Sequence, residues 1–138
     1  PVSALVVRAP VVILGREDGT LDVWDLEERR LQHRIKRHQG KVTHVEAVGK
    51  IIISTSDEAE DDQSEGECVR FCDLRSGRLL SSFTTRRVTC MALRSSHGSR
   101  CKEYVLTGHT SGKSIVWDVE EQRSVHTLDG HHKTIRSM

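Results

Sequence analysis

The chain contains no asparagine, so none of its 138 residues can be an N-glycosylation acceptor. Net charge is nearly absent as well. Lys and Arg number 21 against 20 Asp and Glu, a formal +1 that argues against a general polyanion binder but leaves local basic patches open. Aromatics are scarce, with two Phe, one Tyr and two Trp, too few for a base-stacking surface, so nucleic acid is not an expected partner. No apolar run approaches the ~20 residues of a membrane helix, and no membrane span is expected. No charged-then-apolar leader follows Pro1, which leads us to expect an intracellular, cytoplasmic protein, with the nucleus also open. Cys68, Cys72, Cys90 and Cys101 include no Cys-x-x-Cys pair and are expected to be reduced thiols. His131 and His132 have no Cys or Asp cluster beside them, so neither a metal nor a cofactor is expected. What remains is 36% apolar and 30% charged, polar but not compositionally disordered.

What the chain does have is a repeat. Val2-Ser3-Ala4-Leu5, Val42-Thr43-His44-Val45 and Val88-Thr89-Cys90-Met91 each read as a short strand, and Ile135-Arg136-Ser137-Met138 opens a fourth. Their starts lie 40, 46 and 47 residues apart, a period that signals an array of similar units. A second apolar run follows each start: Val11–Leu14, Ile51–Ile53 and Tyr104–Leu106. Turn residues come next, including Asp18-Gly19 and Ser111-Gly112, and then third runs at Leu21–Leu26, Cys68–Leu74 and Ile115–Val119. Fourth runs at Leu31–Ile35, Leu79–Phe83 and Val125–Leu128 complete each unit. No segment offers an amphipathic helix with both a cap and a stop.

The third runs end Val23-Trp24-Asp25-Leu26, Phe71-Cys72-Asp73-Leu74 and Val116-Trp117-Asp118-Val119, and Gly130-His131 adds a Gly-His dipeptide with Arg37-His38 as its degenerate copy. On these residues and the period, the chain resembles the WD-repeat family over essentially its whole length. The resemblance implies an all-β fold: a partial β-propeller of three four-stranded antiparallel blades, about 2–37, 42–85 and 88–130, with 131–138 starting the next. It also implies, in each blade, a hydrogen-bonded tetrad of His, Ser or Thr, Asp and Trp. Asp18 and Trp24 match in the first unit, where Leu14 takes the hydroxyl position. His38 and Ser54 match in the second, with Asp57 or Glu58 as the acid and Cys72 replacing Trp. Thr107 and Trp117 match in the third, where Thr84 and Ser111 stand for His and Asp; His131 would serve the next unit. No unit carries all four. Propellers close with 4–8 blades, so we expect a piece of a longer propeller or, less favoured, a self-associating one.

The resemblance puts second-to-third and fourth-to-first loops on one face. The stretch Asp57–Glu67 there carries seven acids, Asp57, Glu58, Glu60, Asp61, Asp62, Glu65 and Glu67, and no base. Such a run reads first as a solvated insertion and second as a docking loop for a basic partner. Arg37, Arg86 and Arg87 belong to the same face, as a rim balancing that acidity in preference to an anion-binding surface. Gly108-His109-Thr110-Ser111-Gly112-Lys113-Ser114 imitates a phosphate loop but has three residues between its glycines and runs into a strand, not a helix. The function expected is a non-enzymatic protein-interaction scaffold, whose partners are other proteins and the rest of its own propeller. One alternative is a substrate receptor of a cullin-type ubiquitin ligase, for which Cys72-Asp73-Leu74-Arg75 resembles a Trp-Asp-x-Arg docking element. Another is a propeller hydrolase, for which the inner strands offer chiefly His44 and Glu46.

Overall fold

In a computed structural model, described for residues 1–57, 66–96, 100–130, 133 and 135–136 and for 66–68 by backbone alone, the chain is built of strands. These are β1 (Val2–Arg8), β2 (Val11–Arg16), β3 (Thr20–Asp25), β4 (Arg30–Lys36), β5 (Val42–Val48), β6 (Ile51–Ser56), β7 (Gly66–Asp73), β8 (Leu79–Thr85), β9 (Val88–Ser95), β10 (Glu103–His109), β11 (Ser114–Asp118) and β12 (Arg123–Leu128). They form three four-stranded antiparallel meanders, β1–β4, β5–β8 and β9–β12, each in chain order. The described residues 135 and 136 are not in a strand, and the remainder of that predicted fourth start lies outside the described residues.

Each third strand ends in the Asp of the repeated motif, and that Asp has one local task. Asp25 Oδ1 accepts the backbone N–H of Glu27 and Glu28 at 2.8 and 2.9 Å. Asp73 Oδ1 does so for Arg75 and Ser76 at 2.8 Å each, and Asp118 Oδ1 for Glu121 at 3.0 Å. The carboxylate replaces a backbone acceptor and starts the turn into the outer strand. Four residues on, the same turn needs a positive φ, met by Arg29 (54°), Gly77 (70°) and Gln122 (56°). Only Gly77 adopts it without a Cβ penalty, and a Cβ there would also meet Ile35 Cγ1 at 2.9 Å.

The sheets stack through their faces, giving two seams. Between sheets 1 and 2 lies an aliphatic core of Val6, Ile13, Leu21, Val23, Ile35, Val42, Val45, Ala47 and Ile52 with Cys72. Between sheets 2 and 3 the core is aromatic: Phe71 and Trp117, with Phe83 packed alongside, set among Ile53, Val69, Val88, Val105 and Val119. Inner strands are stitched to the next unit by hydroxyls. Ser3 Oγ lies 2.6 Å from Val42 O and 3.2 Å from Gly15 O. Thr89 Oγ1 repeats the stitch to Gly108 O at 3.1 Å and to Ile135 O, so Ile135 sits on sheet 3 as Val42 sits on sheet 1. Side chains at Gly15 and Gly108 would overlap Val42 and Ile135, which is why both second strands carry glycine there.

The far face of sheet 1 has no such cover among the described residues. Leu5 and Val7 are 59% and 48% exposed. Val12, Leu14, Trp24 and Leu26 line an apolar hollow of about 320 Å³. Trp24 and Trp117 share a repeat position, yet Trp117 is 2% exposed and Trp24 only half-buried, because sheet 2 covers one and no described residue covers the other.

Candidate functional site

Strand ends and turns of neighbouring sheets meet along one rim. At the second seam they are wired together. Trp117 Nε1–H donates to Thr107 Oγ1 at 2.8 Å, and the Thr107 hydroxyl lies 2.8 Å from His109 Nε2. His109 Nδ1 is 2.8 Å from Arg86 O. A carbonyl only accepts, so Nδ1 carries the proton and Nε2 takes the Thr107 proton. Every group in this chain is satisfied with a neutral imidazole. Burial holds the His109 pKa below its ordinary value, opposed by the bond to Arg86. Thr85 Oγ1 also donates to Arg86 O at 2.7 Å, and Thr110 N–H donates to Arg87 O at 3.1 Å. The β8–β9 loop and the β10–β11 turn are thus one bonded unit.

By its offset in the repeat, Thr84 stands in the histidine's place. The structure puts His109 there, two residues beyond Thr107 on the same strand, and a backbone carbonyl stands where an Asp would accept. The signal was present: residues i and i+2 of a strand point to one face, so a His two after the hydroxyl can reach it.

At the first seam His38 is 1% exposed, with Nε2 2.7 Å from Ser54 Oγ. Cys72, also fully buried, holds the Trp position. Arg37 comes in beside it, its Nε and Nη2 both donating to Gly77 O at 3.2 and 3.0 Å. Burial raises the Cys72 pKa, and the nearby Arg37 and Arg70 charges oppose that rise. Arg37 is therefore engaged across the seam, half-buried beside the shorter residue at 72. Asp18 and Trp24 are not brought together with a hydroxyl. Asp18 is exposed, its carboxylate accepting Thr20 N–H at 3.0 Å, and hydrogen bonds from the Thr20 side chain and then its backbone lower the Asp18 pKa.

On the rim, Arg87 Nη2 pairs with Asp57 Oδ1 at 2.8 Å, joining the root of the acidic stretch to the next loop. Glu58, Glu60, Asp61, Asp62 and Glu65 lie outside the described residues, as does His131. Arg86 borders a hollow of about 230 Å³ with Thr84, Thr85, His109, Ser111, Lys113, Ile115 and Thr127. Arg75 lies away from these, exposed on the Asp73 turn and sharing a groove with Arg30 and His33. His44 and Glu46 are spent locally. His44 Nδ1 lies 3.1 and 3.2 Å from the Thr43 and Thr55 hydroxyls, and Glu46 pairs with Arg8. Among the described residues, no three His, Cys, Asp or Glu side chains gather where they could hold a metal ion.

Three side-by-side antiparallel meanders, with no helix among the described residues, define an all-β partial propeller. The same architecture recurs in solved structures across 99% of this chain. The WD40 repeats of RRP9 and the protein U3-55K each superpose with a TM-score of 0.76 at 23% identity, this chain spanning 41% of either. Two computationally designed proteins, Ika8 and Ika4, match with TM-scores of 0.74 at 24% and 22% identity, the chain spanning 39% and 78% of them. At these identities the likeness is one of fold. No protein-family model matches the sequence. No helix of the described residues is long and apolar enough to cross a membrane.

Proposed function

We propose that the chain is a non-enzymatic protein-interaction module, part of a propeller scaffold that recruits partner proteins through the loops of its rim. One observation carries this reading: the loops of adjacent sheets are bonded to each other, through His109 to Arg86 O, Thr110 to Arg87 O and Arg87 to Asp57, so their side chains hold fixed relative positions. Its rim residues are Asp57, Arg86 and Arg87, with the acidic stretch from Glu58 to Glu65 as a second, oppositely charged element. The apolar far face of sheet 1 fits cover by further repeats of the same propeller or by self-association. A random peptide library selected on the folded chain tests the proposal. The expected result is a set of peptides whose binding falls about tenfold on Arg87→Ala and is unchanged by substitutions on β4. Selection of no rim-dependent peptide, or turnover in a broad hydrolase screen, would overturn it.

A second reading, a substrate receptor of a cullin-type ligase, draws on Arg75, held outward by the Asp73 turn. Loss of ligase-adaptor binding on Arg75→Ala would support it, and no adaptor binding by the unaltered chain would remove it.

A further inference from the structure

At the end of the strands away from Asp57, Arg86 and Arg87, the seam between sheets 2 and 3 opens into a cleft of about 300 Å³. Val48 and Ile51 of sheet 2 and Val119 of sheet 3 line it, with Cys101 beside them. The two valines and the isoleucine also belong to the aromatic core of that seam, so the cleft is the core continued to the surface. Its charged lining divides by sheet. Lys50 comes from the β5–β6 turn of sheet 2, and Lys102, Glu103 and Glu120 come from sheet 3 and its turns.

Two of these charges are engaged and two are open. Lys102 Nζ lies 3.4 Å from Asp118 Oδ2, and Glu103 Oε2 accepts the Ser95 hydroxyl at 2.5 Å. Lys50 and Glu120 are exposed, and neither side chain has a hydrogen bond or an ion pair among the described residues. Glu120 bears on Lys102 through its charge alone. An open cation thus stands on the sheet 2 wall and an open anion on the sheet 3 wall, with an apolar floor to the cleft. The backbone that carries them is held. Gly49 turns at φ 57° ahead of Lys50, and Lys50 O accepts the Leu74 N–H at 2.8 Å. On the other wall the Val119 N–H donates to Glu103 O at 3.2 Å, and the Glu121 N–H donates to Asp118 Oδ1 at 3.0 Å. Ser96 N–H donates to Lys102 O, and Lys102 N–H to Ser96 Oγ, both at 2.8 Å.

We infer that this cleft binds an extended segment of a partner protein in which one large aliphatic side chain is flanked by an acidic residue on one side and a basic residue on the other. The inference goes beyond the rim reading and uses none of the rim residues. The aliphatic side chain anchors on Val48, Ile51 and Val119 and completes the floor. At about 300 Å³ the cleft is at the small end of ligand pockets, suited to one anchoring side chain. The flanking charges follow from the walls. An acid pairs with Lys50 and a base with Glu120, whereas two acids or two bases set a like charge against one wall. A nucleic acid or an anionic bilayer meets the same conflict at Glu120.

The test is fluorescence polarisation of degenerate nine-residue peptide pools against the full chain. The centre is leucine or serine, and its two sides carry one acid and one base in either order, two acids, or two bases. The mixed-charge leucine pool is expected to bind at least about tenfold tighter than its serine counterpart, as burial of one leucine side chain predicts. It should bind about fivefold tighter than either like-charge leucine pool, the scale of an exposed ion pair. Lys50→Glu should move the preference to the pool with two bases, and Glu120→Lys to the pool with two acids, each by about fivefold. A merely structural role for either residue would not invert a preference. Both side chains are exposed, and circular dichroism checks that the variants fold. Arg87→Ala should change nothing, and peptides selected on the rim should not compete. Equal binding of the three charge classes, or of leucine and serine, would overturn the inference while leaving the interaction module standing. So would a preference that neither substitution inverts, or displacement by rim peptides. If no pool binds while the random library still yields rim-dependent peptides, the inference falls and the module stands. If neither gives binding, both fall.

Discussion

The two seams solve one packing problem with different parts. At the same repeat position, seam 1–2 has Cys72 and seam 2–3 has Trp117. The indole fills its seam, with Phe83 at 4.9 Å and Phe71 at 6.1 Å between ring centroids, and ends in the donor that begins the Thr107–His109–Arg86 chain. The thiol fills little and donates weakly, so Arg37 enters from the preceding loop and forks onto Gly77 O. One seam is closed from within its own strand and the other by a residue borrowed from the loop beside it. The repeat therefore preserves the geometry of the seam and not the identity of the residue that closes it.

The sharpest way to break this comparison is to remove the two side chains in parallel. Trp117→Ala should cost about 3–5 kcal/mol in urea unfolding, and Cys72→Ala only about 1–2 kcal/mol. Equal losses would mean that the seams are not built differently. Next in size is the hydroxyl. Thr107→Val strands both the Trp117 N–H and His109 Nε2, for about 2–4 kcal/mol, whereas Ser54→Ala strands only one imidazole nitrogen, for about 1–2 kcal/mol. A smaller effect tests Arg37 as the substitute for an indole. Cys72→Trp should destabilise by about 1–3 kcal/mol through overpacking, and Arg37→Ala should relieve it, with a coupling of at least about 0.5 kcal/mol in a double-mutant cycle. Additive effects would show that the two do not share one space.

The smallest effect is in pH. Burial lowers the pKa of both His109 and His44 from the ordinary 6.5, and His109 belongs to seam 2–3. Between the folded and unfolded values the unfolded chain binds more protons, so stability rises with pH across that window. It is fully present above about pH 6.5 and is lost as pH falls from there through the folded values. Urea midpoints at pH 7.5 and 5.5 should differ, and His109→Gln should shrink the difference. An unchanged difference would assign the acid sensitivity elsewhere.

Much of this was legible before any coordinates. The 40–47-residue spacing and the alternation of apolar runs with Asp-Gly and Ser-Gly turns place all twelve strands within a few residues. That works because strand formation follows a local pattern, and each motif Asp acts on backbone only two or three residues away. The tetrad was harder to read. Repeat offset points to Thr107 and Trp117 but to Thr84 in place of His109, because offset carries no information on which face a side chain takes. Arg37, grouped in sequence with the basic rim residues, is turned inward to Gly77, forty residues on. Nothing local marks that contact.

The sequence by itself determined the units: three four-stranded meanders, their turns and the positions at which they would meet. Period, propensity and turn chemistry act over a few residues and need no knowledge of the rest of the chain. Only the tertiary structure decided what closes each seam and which side chains are brought in from neighbouring loops to do it. Those outcomes depend on volumes and donors brought together from segments tens of residues apart. A missing indole at one position can be answered by an arginine that no local rule would choose.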